Sequence, residues 1–221
     1  MYYSPEKNDH GLPHSPFKAC VVPRPIGWIS TVSRAGVANL APYSQFQNLT
    51  FDPPYVLFAA NQTTGGRRKD SVVNAEDTGV FVYNMATWEL RDAVNRSAAE
   101  VGPEVDEFEL AGVTKAACRV VGAPRVAESP IQFECVYHQT LRLPGANPMG
   151  TVDVVIGRVV GVHIRDDLIG PGGRVDVLKV RPLARLGYFD YTTVDSAFEM
   201  VIPGCNDELL RGLEGRRAPG A

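Results

Sequence analysis

Thr63-Thr64-Gly65-Gly66-Arg67-Arg68-Lys69-Asp70-Ser71 places two glycines and three consecutive cations directly before a segment with helical character. The start of a helix carries amides without carbonyl partners and the positive end of the backbone dipole, so it attracts an anion. Lys69 and the Ser71 hydroxyl complete a plausible phosphate cradle. The G-x-x-x-x-G-K-[ST] spacing of a P-loop is absent, so this is not a nucleoside-triphosphate grip. A solvated basic turn is the competing reading of the same residues.

A second stretch that could serve a ligand is Pro23-Arg24-Pro25-Ile26-Gly27-Trp28-Ile29-Ser30-Thr31-Val32. Its prolines fix the backbone on both sides of Arg24 just before a β-type run. Ser33-Arg34-Ala35-Gly36 has turn composition and leads into Val37-Ala38-Asn39-Leu40-Ala41-Pro42-Tyr43-Ser44-Gln45-Phe46, so the two runs form a hairpin. By residue type alone it could equally be an ordinary hairpin that happens to carry an arginine.

These segments sit among many strands. Runs 27–33, 40–48, 55–60, 79–86, 116–126, 131–141, 152–164 and 175–180 are rich in β-branched and aromatic residues and read as strands. Run 55–60 is apolar at both parities, which predicts cover on both faces. In run 152–164 the even positions are apolar apart from Arg158, which predicts one core face and a second face with another task. Two short helices are expected. One spans 71–77, with Asp70 or Ser71 as N-cap and Val72, Val73 and Ala75 inward. The other spans 88–99, capped by Thr87, with Leu90, Ala93, Val94 and Ser97 on one stripe and an Asp92–Arg96 pair. Strands outnumber helices without regular alternation, so the fold class is mainly β, a barrel with a few short peripheral helices.

The 221 residues, 44% hydrophobic and 21% charged, suit one globular domain. A net charge of −3 argues against nucleic-acid or anionic-membrane partners, so any anion site is local. No apolar run approaches the ~20 residues of a membrane-spanning helix, and no signal peptide is visible, which predicts a cytoplasmic protein. Cys20, Cys118, Cys135 and Cys205 are scattered and read as reduced thiols, with no metal-ligand spacing. Residues 206–221, charged and then rich in Gly, Pro and Ala, read as a frayed end.

Together, Arg24–Thr31, Asn39–Phe46 and Lys69–Ser71 resemble, in order and spacing, three motifs of the flavin reductase-like (flavoredoxin-like) family: R-P-I-x-W-I-S-T, N-L-A-P-Y-S-x-F and K-D-S/T opening a helix. Trp88, the strand ending at His163 and Arg185-Leu186-Gly187-Tyr188-Phe189-Asp190-Tyr191 extend the likeness over roughly residues 12–192. Residues 1–11 are then an N-terminal arm and 193–221 a C-terminal extension. Where the family's late motif has two glycines this chain has Gly187-Tyr188, so no role carries to Tyr188. The loop 143–150 is also particular to this chain.

The resemblance implies an FMN-binding split β-barrel that forms homodimers with FMN near the interface. Residue by residue, Asn39, Leu40, Ala41, Pro42 and Ser44 would approach the flavin ring and ribityl chain, largely through main-chain groups. Arg24, Ser30, Asn61, Lys69, Asp70 and Ser71 would line the ribityl–phosphate end, with Asp70 better read as a helix cap because a phosphate repels it. Phe46 and Trp28 either contact the ring or pack in the core. His163 either lies near the flavin or nicotinamide or is structural. The implied activity is transfer of hydride from NADH or NADPH to FMN, chemistry the cofactors supply themselves, so no catalytic residue is singled out. A partner monooxygenase or redox protein would accept the electrons. An electron carrier of flavoredoxin type needs the same cradle, and a barrel without flavin is the third reading.

Overall fold

The computed structural model describes residues 1–200, 202–204 and 206; Cys205 and almost all of the expected frayed end lie outside that set. From the N-terminus come strands β1 (Arg24–Pro25), β2 (Gly27–Val32), β3 (Ala38–Tyr43), β4 (Phe46–Phe51) and β5 (Pro54–Asn61). Helix α1 (Asp70–Thr78), β6 (Val80–Met85), helices α2 (Arg91–Arg96) and α3 (Glu107–Ala111), and the short β7 (Lys115–Ala116) and β8 (Arg125–Val126) follow. The long β9 (Ile131–Leu143) and β10 (Val152–Ile164) precede helix α4 (Val177–Val180), β11 (Leu183–Arg185) and β12 (Tyr191–Thr193).

Seven strands form one antiparallel sheet in the order β3-β2-β6-β9-β10-β5-β4. Its two end strands, β3 and β4, are joined directly through Ser44-Gln45, where the Ala59 amide donates to the Gln45 carbonyl at 2.8 Å and extends the β4–β5 ladder. Across the interior Phe46 stacks on Tyr83 of β6, with ring centroids 4.4 Å apart. The sheet thus curls around Ile29, Tyr43, Phe58, Phe81, Cys135 and Val155, and Val72 and Ala75 of α1 plug the opening. This is a split β-barrel. At Gly27 and Gly157 the interior leaves no room for a side chain, because an added Cβ would lie 2.5 Å from Phe46 Cδ2 and 2.3 Å from Phe81 Cε1 respectively.

A second core lies outside the barrel, where Trp28 and Leu40 meet Ala93, Val94, Phe108 and Ala111 of α2 and α3. The indole of Trp28 donates to Ser97 Oγ at 2.9 Å, which satisfies its buried N–H. β2 is therefore the strand covered on both faces. β5 is not: Tyr55 and Leu57 stay half-exposed. By register, Leu57 shares its outer face with Ile156, Val154 and Val152, and with the exposed Leu141 and Leu143.

Several expectations change for identifiable reasons. Run 40–48 divides at Ser44-Gln45, where the chain crosses from one sheet edge to the other. Run 116–126 forms only the two-residue β7–β8 pair, because the amides of Arg119, Val120 and Val121 bind the Glu134 carboxylate instead of a strand. Run 175–180 contains α4, whose Asp176 accepts from the Lys179 amide. In β10 it is the odd positions Asp153, Val155, Gly157 and Val159 that point into the barrel, while the apolar even positions face outward. α1 begins one residue early, with Lys69 at the N-cap position and Asp70 inside the helix, so neither Asp70 nor Ser71 caps it. The second helix shortens to α2, and Arg96 donates to the Ala111 carbonyl at the end of α3 rather than pairing with Asp92. Tyr188 adopts φ 53°, the left-handed conformation that a glycine would take more easily.

Candidate functional site

A cleft lies between the outer edge of β3, the end of β5 and the start of α1. It comprises two adjoining, open chambers of about 100 and 260 Å³ that share Pro42, Tyr43, Lys69 and Glu100. β3 is the last strand of the sheet on this side, but of its outward positions Leu40 has its amide bound by Glu107 and Pro42 has none, so this edge offers the cleft carbonyl oxygens.

The chain reaches α1 through a tight turn. The Gly66 amide donates to the Thr63 carbonyl at 3.0 Å with Gly66 at φ 80°, and the Arg67 amide donates to Thr63 Oγ1 at 3.0 Å. That turn separates the three cations. Arg67 faces the cleft, held by Asp70 at 2.7 Å and by the Val101 carbonyl at 3.1 Å. Lys69 faces it too, paired with Glu100 at 3.0 Å. Arg68 turns away to Glu76 at 2.6 Å and to the buried Asp153 at 3.0 Å, a carboxylate it shares with Arg142. Arg68 is thus a clasp between α1 and the barrel. Two cations and three carboxylates, Asp70, Glu100 and Glu107, line the cleft.

Beneath the cleft runs a buried polar network. Ser71 Oγ donates to Asn39 Oδ1 at 2.6 Å, Thr31 Oγ1 to the same oxygen at 3.2 Å, and Asn74 Nδ2 to Thr31 Oγ1 at 3.1 Å. Asn39 Nδ2 donates to Glu107 Oε1 at 2.9 Å, and the Leu40 amide to Glu107 Oε2 at 3.1 Å. Burial pushes the Glu107 carboxyl above its ordinary value, against the pull of these donors. Burial likewise pushes the Tyr43 phenol, hydrogen-bonded to Ser71, far above its usual value, so it stays protonated.

Among the residues singled out from the sequence, Asn39, Ala41, Pro42, Ser44, Asn61, Lys69, Asp70 and Ser71 line the cleft. Ser71 is fully buried and its hydroxyl is committed to Asn39, so what it offers an anion is its backbone amide in the first helical turn. Leu40 buries its side chain in the outer core, and Phe46 stacks within the barrel. Ser30 Oγ donates to the Pro124 carbonyl at 2.6 Å and accepts from Asn84. Arg24 holds the carbonyls of Lys18 and Val21 in the N-terminal turn. His163 contacts Glu134 at 2.6 Å on the other side of the sheet from the barrel interior. Burial disfavours the Glu134 charge, yet the amides of Arg119, Val121 and Val120 together with His163 hold its carboxyl at about 2. His163 serves that carboxylate, and Arg24, Ser30 and His163 lie outside the lining of the cleft.

Sequence reasoning missed Glu100 and Glu107. The signal for Glu107 was modest: Val105-Asp106-Glu107-Phe108 preceding Gly112 reads as a short capped helix, and Asp106 does accept from the Phe108 amide at 3.0 Å. Nothing local says that its first residue turns under β3.

Residues 19–190 match the family described as the flavin reductase like domain. An uncharacterised protein of Halalkalibacterium halodurans is 36% identical over 183 residues, 83% of this chain and 87% of that protein. The crystal structure of nitrilotriacetate monooxygenase component B from Bacillus cereus superposes with a TM-score of 0.83 at 30% identity, covering 90% of this chain and 98% of that one. Flavoredoxin of Desulfovibrio vulgaris (Miyazaki F), at 17% identity, shares the fold, with a TM-score of 0.72 over 83% of this chain and 93% of its own.

Proposed function

The chain belongs to the flavin reductase-like family, and on that premise we propose that its cleft holds FMN and that it is an NAD(P)H-dependent FMN reductase. The observation that carries this reading is the meeting of an open strand edge, β3, with a helix start flanked by Arg67 and Lys69. A planar heteroaromatic ring with an N–H can be met by outward strand carbonyls, and a phosphate needs cations beside free amides. Both are present a few residues apart in one cleft. FMN supplies the hydride-accepting ring.

The chain's own residues bind and orient. Ala41, Pro42 and Ser44 form the wall against which the ring lies. Lys69 and the amides of Asp70 and Ser71 hold the phosphate, with Asn61 and Thr63 along the ribityl path. Lys69 has three N–H donors, so its ammonium can hold the phosphate while it stays paired with Glu100, which brings the two anions close together. The half-exposed apolar face of Leu57, Val154, Ile156, Leu141 and Leu143 supports a homodimer built on that side of the barrel. The likeness to a monooxygenase component supports a partner monooxygenase as electron acceptor. Among the described residues no helix is long and apolar enough to cross a membrane, and the chain is proposed to work in the cytoplasm.

The test is a visible spectrum of the purified protein with FMN, followed anaerobically as NADH and then NADPH is added. Bleaching of the bound flavin and fast oxidation of nicotinamide on adding free FMN are expected. Bound FMN without turnover by either nicotinamide would establish the second reading, an electron carrier, which the flavoredoxin fold also fits. Lys69→Ala is expected to weaken FMN binding while affecting riboflavin less; equal loss of both would rule out a phosphate role for Lys69.

A further inference from the structure

Glu107 is a buried carboxylate that both oxygens' partners tie to the cleft, and family likeness did not point to it. Oε1 accepts from Asn39 Nδ2 and Oε2 from the Leu40 amide. With an anion on that side, the Asn39 amide can face it only with its nitrogen, because its carbonyl oxygen would be repelled. Oδ1 is then presented to Ser71 and Thr31, and both hydroxyls donate to it. Thr31 in turn accepts from Asn74. Every donor in the chain points toward Glu107, and every member except the carboxylate is neutral.

We infer that Glu107 is a positioning residue for the flavin, whose negative charge orders the network that locks the edge of β3 to the start of α1. This rests on the reading that the cleft holds a flavin. β3 supplies the wall for the ring and α1 the amides for the phosphate, and Asn39 is the bridge between them. If Glu107 takes up a proton, one of its oxygens becomes a donor facing a donor. Either the Leu40 amide or Asn39 then loses its acceptor. If Asn39 turns over to compensate, Oδ1 leaves Ser71 and the two elements uncouple.

The groups that face Glu107 set the pH range. Burial raises its carboxyl, the Leu40 amide and Asn39 lower it, and Asp70 at the start of α1 raises it. Tyr43 on β3, and Arg67, Lys69 and Glu100 around the cleft, are the other ionisable neighbours. On α3 itself Asp106 pairs with Lys115, Glu109 lies in the first turn, and Arg96 of α2 holds the far end through the Ala111 carbonyl.

The experiment measures riboflavin affinity by fluorescence quenching between pH 8 and pH 5, for the wild type, Glu107→Gln and Glu107→Asp. Riboflavin removes the phosphate, whose own ionisation near about pH 6 would overlap. Wild-type affinity is expected to fall with acid, by up to about tenfold per pH unit, the limit for one linked proton. Glu107→Gln is expected to bind weakly with no such slope, and Glu107→Asp to bind less well than wild type but keep it. A flat wild-type profile overturns the inference without any variant. So does a slope that survives unchanged in Glu107→Gln while its thermal unfolding stays cooperative. Should Glu107→Gln fail to fold, the wild-type and Glu107→Asp profiles decide. Failure of the wild type to bind either FMN or riboflavin at pH 8 would instead strike the flavin reading itself, and the role of Glu107 would fall with it.

Discussion

Replacing Glu100 with glutamine is expected to tighten FMN and leave riboflavin unchanged. Glu100 sits 3.0 Å from Lys69 with half its side chain exposed, so the pair itself adds little to stability. A phosphate on the same ammonium would lie about 6 Å from the carboxylate, two contacts of hydrogen-bond length. A dianion and a unit charge at that distance repel by roughly 1.4 kcal/mol at the dielectric of water, and screening at physiological salt removes about half of it. The Glu100→Gln variant should therefore hold FMN about three- to tenfold tighter, a gain that shrinks as salt is raised. Titration of FMN and riboflavin side by side at low and moderate salt reads this directly. An unchanged or weaker FMN affinity would refute the placement of the phosphate on Lys69. An equal gain for riboflavin would do the same, since riboflavin carries no phosphate for Glu100 to repel.

Gly27→Ala forces a methyl group to within 2.5 Å of the Phe46 ring, which is pinned by its stack on Tyr83, so a loss of roughly 1–3 kcal/mol is expected. Urea unfolding checks it. Leu141→Asp together with Leu143→Asp should turn the proposed homodimer into a monomer by light scattering, with the barrel still folded, because both side chains face outward. In acid, the stability that Glu134 contributes is complete above its unfolded value near 4.5 and is lost as pH falls through its folded value of about 2. Glu134→Gln should therefore be less stable at neutral pH and lose less of its remaining stability between pH 4.5 and pH 2 in thermal melts. Arg68→Ala should lower thermal stability with little change in the ratio of FMN to riboflavin affinity, since its partners Glu76 and Asp153 lie away from the cleft.

The amino-acid sequence by itself determined the local pieces of this protein. The turn 33–36 with the runs on either side dictates a hairpin, and that hairpin forms with Gly36 at φ 84°. The β-branched run 152–164 dictates a long strand with those ends. The glycines and cations of 65–69 place charge at a helix start, and α1 begins there. Each of these depends on neighbours within a few positions, where backbone preference and turn chemistry decide.

Tertiary structure decided which partner each charged group meets and which face of each strand turns inward. Arg67, Arg68 and Lys69 are adjacent in sequence, yet two line the cleft and one clasps Asp153, a residue 85 positions away. His163 meets Glu134 because the register of β9 and β10 shifts between Val159 and Gly161. The outward turn of the apolar face of β10 depends on what fills the barrel, Phe81 against Gly157 above all. Glu107 comes under β3 only because α3 packs there, 67 positions from the Leu40 amide it binds. A helix start flanked by cations is legible from short-range chemistry. The carboxylates that temper and order it arrive from distant segments, and only packing brings them within hydrogen-bond reach.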